Sequence, residues 1–152
     1  MDIFKQIHSE HQIVKKLAKQ IIKENDNITM SAQISELGDA LRKHMNAEEK
    51  IFYKYLLQNS DKNGLIYEAL EEHLAVRAVL LDIESTASEN ERLPSKMKVL
   101  DKLLKLHIEE EEKTIFPEAK KFINAKQAKE MNKEFNDAKK DNPTTDLEET
   151  PI

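Results

Sequence analysis

The chain has 152 residues, 35% of them charged and 5% aromatic, with a net charge of -5. That length allows one domain with a substantial core, and the dispersed basic residues argue against nucleic acid as a partner. There is no cysteine, which excludes disulfides, iron–sulfur clusters and thiolate zinc sites within the chain.

Two glycines and four prolines in a chain rich in Lys, Glu, Leu, Ile and Ala predict an all-α domain. No apolar run approaches ~18 residues, so no membrane span is expected. The N-terminal MDIFKQIHSE lacks a basic region followed by an apolar run. It is not read as a secretory signal, and a cytoplasmic location is expected.

In chain order, the first helix is predicted from about Asp2 to Glu24, with Phe4, Ile7, His11, Val14, Ala18 and Ile21 on one stripe. Asn25, Asp26 and Asn27 break it. Ser31 is the expected cap of a second helix reaching about Leu57, with Leu37, Leu41, His44, Glu48 and Ile51 inward. A turn over residues 58–64 leads to a third helix, about Leu65 to Ser85, carrying Ile66, Leu70, His73, Val76 and Leu80. The fourth opens at Leu93 or Pro94 and reaches about Phe122, with Leu100, Leu104, His107, Glu111 and Ile115 inward. Pro117 should kink or interrupt it. A shorter fifth helix is expected over about Ala125–Lys140, and residues 141–152 (DNPTTDLEETPI) read as a disordered tail. The expectation is an up-down-up-down four-helix bundle over 1–140, with the short fifth helix at its end.

Polar residues on these apolar stripes carry the chemistry. HMNAEEKIF (44–52) and HIEEEEKTIF (107–116) both place a glutamate four residues after a histidine. Residues at i and i+4 share a helix face, so each pair aims an imidazole and a carboxylate at one point. His11 and His73 lie mid-stripe on the other two long helices. A single core histidine is more often hydrogen-bonded than ligating. Four of them, two with an in-phase glutamate, form a ligand layer. Imidazole and carboxylate without thiolate suit iron, manganese or zinc. Six ligands are too many for one catalytic zinc. Two metals divide them better, each with two histidines, with both glutamates bridging and one further bridging oxygen.

These stretches resemble the hemerythrin-like, HHE cation-binding family over about residues 2–123. The matching segments are IFKQIHSEHQIVKKL, ALRKHMNAEEKIFY, EALEEHLAVRAVL and VLDKLLKLHIEEEEKTIFP. The resemblance implies a non-haem di-iron centre with an oxo or hydroxo bridge. The ligands it carries over are His11, His44, Glu48, His73, His107 and Glu111. Oxygen carriers of the family have a second third-helix histidine where this chain has Arg77, and a differently spaced aspartate on the fourth helix. The remaining set is similar to the repair-of-iron-centres type, although the cysteine-containing segment usual in those proteins is missing here.

The resemblance implies binding of, or reaction with, nitric oxide, oxygen or peroxide in nitrosative or oxidative stress, with an unidentified electron donor. The alternative is oxygen binding, oxygen sensing or iron storage without turnover. Whether the protein is an enzyme is left open. Around the ligands, Tyr53 could donate a hydrogen bond to a bridging oxygen or bound ligand, although packing is the plainer reading. Arg77 reads either as outward or as a residue beside the open position, stabilising an anion. His8 reads as a surface residue, with an extra ligand as the alternative. Glu49, Glu109, Glu110 and Glu112 read as a solvated acidic face, and Glu72 as outward.

Overall fold

The computed structural model describes residues 1–141. It contains α1 (Ile3–Lys23), α2 (Asn27–Ala47), a π-helical turn (Glu48–Tyr53), α3 (Lys54–Asn59), α4 (Asn63–Glu84), α5 (Leu93–Glu110), a second π-helical turn (Glu111–Ile115), α6 (Phe116–Ala119) and α7 (Ala125–Asp141). No strand forms among the described residues. Apart from the helical backbone of Asp141, the expected tail lies outside the described residues.

Aspartates set the first two helix starts. Asp2 accepts from the Lys5 N–H at 2.9 Å, and Asp26 from the Thr29 N–H at 2.8 Å. Each satisfies a backbone donor that the helix leaves without a partner. Helix α2 therefore begins at Asn27, and Ser31 lies inside it rather than capping it. Pro94 occupies the first turn of α5, where its missing N–H costs nothing.

The second and fourth rods run on through their π-turns into α3 and α6. In each turn the backbone widens to an i→i−5 bond, Lys54 N–H to Glu49 O and Phe116 N–H to Glu111 O. Phe116 separates Pro117 from the second turn. The interruption expected at this proline takes the form of a π-turn before it and a short helix that carries it in its first turn.

Around the bundle, α1 packs on α2, α2 on α4, α4 on α5 and α5 back on α1, while α7 lies against α1, α2 and the first π-turn. The core is divided. One apolar cluster includes Phe4, Ile7, Phe52, Leu56, Phe116 and Phe135. The other includes Val14, Leu37, Leu41, Val76, Leu80 and Leu104. On each rod the inward histidine falls at the junction between them, as at His11 between Ile7 and Val14. No helix among the described residues is long and apolar enough to cross a membrane.

Candidate metal centre

The layer between the clusters brings six sequence-predicted residues together. His11, His44, His73 and His107 are buried, and Glu48 and Glu111 are 0% exposed. Their ligand atoms form two groups, His11, His44, Glu48 and Glu111 in one and Glu48, His73 and His107 in the other. Glu48 is common to both. Its Oε1 lies 3.1 Å from His73 Nε2, and its Oε2 lies 3.5 Å from His44 Nε2. Glu111 Oε1 lies 3.1 Å from His11 Nε2, and Glu111 Oε2 3.9 Å from His107 Nε2.

Most of these atoms converge without a hydrogen-bond partner. His11 Nε2, His44 Nε2, both Glu48 oxygens and Glu111 Oε1 are buried with no hydrogen-bond partner. The Nε2 atoms of His73 and His107 face each other at 3.0 Å. Uncompensated carboxylates in a dry interior cost several kcal/mol each (order of magnitude). Orphaned oxygens and nitrogens pointed at common centres fit cations, and the all-N,O donor set fits iron, manganese or zinc.

The outward side of each ring is also fixed. His44 Nδ1 lies 2.8 Å from Glu10, His73 Nδ1 2.6 Å from Glu49, His107 Nδ1 2.7 Å from Glu72 and His11 Nδ1 2.6 Å from Glu112. A carboxylate on Nδ1 holds the proton there and turns the Nε2 lone pair inward, as metal-ligating histidines require. The four anchors follow one rule. Each is the chain neighbour of a residue in the layer, yet each serves the histidine of the next helix around the bundle. Glu10 on α1 reaches α2, Glu49 in the first π-turn reaches α4, Glu72 on α4 reaches α5, and Glu112 in the second π-turn returns to α1. The ring of anchors closes.

This corrects the acidic-face reading for Glu49 and Glu112 and the outward reading for Glu72, while Glu109 and Glu110 are exposed as expected. The available signal was a glutamate adjacent to every ligand pair: Glu10-His11, Glu48-Glu49, Glu72-His73 and Glu111-Glu112. The π-turns contribute by re-aiming consecutive carboxylates, so that Glu48 faces the layer while Glu49 faces His73.

The anchors are themselves tied down. Glu49 receives Arg77 Nη1 at 2.8 Å, and Arg77 Nη2 donates to Asn46 Oδ1 at 2.8 Å. The Arg77 guanidinium is thus buried among the supports of His73. Glu10 accepts from Gln6 at 2.7 Å and from Lys139 of α7. Burial alone would raise the Glu10 carboxyl, but His44, Lys139 and Gln6 together outweigh it and hold it at about 2. His8 is exposed and binds the outer oxygen of Glu112 at 2.8 Å, one carboxylate removed from His11, and it belongs to neither ligand group.

Tyr53 is 1% exposed, stacks on His73 with ring centroids 5.3 Å apart, and donates its hydroxyl to Glu111 Oε2. Packing alone, the plainer reading, gives way to a buried hydroxyl bonded inside the layer. Tyr55 is half-buried and bonds Phe122 O at 3.2 Å, and Tyr67 is exposed.

The sequence profile of the hemerythrin HHE cation binding domain matches residues 2–119. No curated protein sequence matches the chain at a significant level. Among solved structures, the crystal structure of a hemerythrin HHE cation binding domain-containing protein from Mycobacterium kansasii has a similar fold. Its TM-score is 0.81 at 20% identity, over 93% of this chain and 86% of that one. With a matching profile over most of its length, this chain belongs to the hemerythrin HHE cation-binding domain family.

Proposed function

We propose that the protein holds two irons and uses them to bind or react with a small oxidant, nitric oxide, oxygen or peroxide, in nitrosative or oxidative stress. One observation carries the reading: two buried groups of partnerless donor atoms share a single carboxylate, Glu48. In it, His11, His44, Glu48 and Glu111 would hold one iron and Glu48, His73 and His107 the other, with the expected oxo or hydroxo oxygen completing the pair. Iron supplies one-electron chemistry with small oxidants. The chain supplies everything else. Glu10, Glu49, Glu72 and Glu112 orient the imidazoles. The apolar clusters on either side exclude bulk water and so strengthen every interaction in the layer.

Arg77 supports the choice of reaction over stable oxygen carriage. It stands where oxygen carriers of the family place a further imidazole, and here its guanidinium serves Glu49 and Asn46. The second group consequently offers fewer protein ligands than the first. The test mixes the reduced, iron-loaded protein with nitric oxide, hydrogen peroxide or oxygen in a stopped-flow spectrometer. The reading predicts fast spectral change with nitric oxide or peroxide and no lasting oxygenated species. A stable spectrum that reverses on removing oxygen would replace it with oxygen binding.

A further inference from the structure

The ring of anchors has two openings to solvent. Glu10 and Glu49 are buried, whereas Glu72 and Glu112 reach the surface. The surroundings of the two openings are opposite in sign. Glu72 lies with Glu68 and Glu110, with carboxylate oxygens of the three within 4.8 Å of one another. Glu112 opens into a groove between α1 and α5, lined also by Lys15, Lys19, Lys105 and Lys113. Lys16 and Lys23 continue the same face of α1 beside Lys15 and Lys19.

These lysines are scattered in the sequence and gathered by the packing of α1 on α5. Lys105 is held by Asp101 at 2.8 Å, and Lys113 by Glu109 at 2.7 Å. Lys15, Lys16, Lys19 and Lys23 form no ion pair among the described residues. Glu112, the other carboxylate in the groove, is taken up by His8 Nδ1 at 2.8 Å and His11 Nδ1 at 2.6 Å. A positive strip therefore crosses a chain of net charge -5. It lies where two hydrogen bonds, from exposed His8 through Glu112, join solvent to a histidine of the layer.

Resting on the di-iron reading above, we propose that this α1–α5 face docks an acidic one-electron carrier protein, which returns electrons to the centre at the Glu112 edge. Reaction with an oxidant requires such a supply. One peroxide and two protons become two waters by taking two electrons, and a chain without cysteine has no internal dithiol to restore them. At each encounter the reduced carrier loses one electron and one ferric iron gains it, so two encounters return the pair to the ferrous state. Electron transfer falls steeply with distance, which favours an edge where the anchor of a ligand is itself at the surface. Clustered lysines steer an acidic partner and speed its encounter, and redox encounters need only a small contact. The acidic opening at Glu72 repels the same partner. A long polyanion would also overlap the negative remainder of the chain, which disfavours nucleic acid.

The test takes an acidic plant-type ferredoxin and an acidic flavodoxin as probes, and reads binding apart from electron transfer. At low ionic strength, at least one probe should shift the backbone amide resonances of the metal-free full chain around Lys15, Lys19, Lys105 and Lys113. Added salt should abolish the shifts. With the oxidised, iron-loaded chain, stopped-flow reduction by that probe should slow by about tenfold or more in Lys15→Glu/Lys19→Glu. Lys126→Glu/Lys129→Glu, the same charge change at exposed positions of α7, should leave the rate unchanged. Reduced riboflavin, a small reductant, should reduce all three proteins alike.

Shifts elsewhere, no binding of either probe at low salt, or a rate indifferent to the Lys15 and Lys19 reversal would overturn the inference while leaving the di-iron reading intact. Tighter binding of a short DNA duplex or of anionic phospholipid vesicles to this face would overturn it in favour of that polyanion. Fewer than two irons per native chain would overturn the di-iron reading, and electron delivery with it, whatever the metal-free shifts show.

Discussion

Without metal, protonated imidazoles must neutralise the layer, and this makes stability depend on pH in a defined direction. Burial pushes the His11 imidazole down, but the Glu111 and Glu112 carboxylates beside it outweigh that and raise it to about 9. Burial likewise opposes protonation of His107, and Glu48 and Glu72 raise it to about 10. A group raised in the folded state contributes stability that is complete below its unfolded value, about 6.5 for histidine, and lost as pH rises through the folded value. For His11, a rise from about 6.5 to about 9 corresponds to ~3 kcal/mol at ~1.4 kcal/mol per unit. His107 contributes on the same scale, but the two share carboxylates and do not add independently. In a chain of this size ~1 kcal/mol moves Tm by roughly 2–4 °C, so the metal-free Tm should fall by about 10 °C between about pH 6 and about pH 10. Circular-dichroism melts of chelator-treated protein at constant ionic strength measure this. A metal-free Tm that is level or rises over that range would refute the electrostatic reading of the layer.

The same protons must leave when metal enters. Loading at neutral pH should release about two protons per chain, from His11 and His107, read by calorimetry in buffers of different ionisation enthalpy. Glu49→Gln keeps shape but weakens the support of His73, and should lower metal affinity by about 10- to 100-fold in a chelator competition, with the helical spectrum unchanged. Phe135→Ala removes a ring that is 0% exposed and lies 6.1 Å from the His44 imidazole. It should cost about 3–5 kcal/mol in urea unfolding.

The helical bundle and the six converging side chains were legible in the sequence because both follow from one periodicity. A 3.6-residue stripe marks the core, and a histidine or glutamate on that stripe must face inward. The anchors were hidden by the same logic. Neighbours in sequence point about 100° apart on a helix, so Glu10, Glu49, Glu72 and Glu112 fall off the stripe and look solvated. They are held inside only because an adjacent helix presents a histidine there, a fact of packing rather than of pattern. The π-turns at Glu48 and Glu111 escaped for a related reason, since an i→i−5 bond leaves no residue preference to read. The cap of α2 was misplaced because Asp26 and Ser31 are both good caps, and Asp26 lies earlier, inside the run read as the break. Tyr53 was found near the layer, but its dry hydroxyl depends on the last residue of a π-turn lying over His73, which no spacing rule gives.

The central claim is that these buried donors hold two irons, and metal content tests it most directly. The untagged chain would be expressed with ample iron, purified without oxygen and assayed for metal and protein on the same sample, beside Glu48→Ala. The account predicts two irons per chain in the native protein and a loss of the pair when the shared carboxylate is removed. One iron or none in the native protein, or two irons retained in Glu48→Ala, would contradict it.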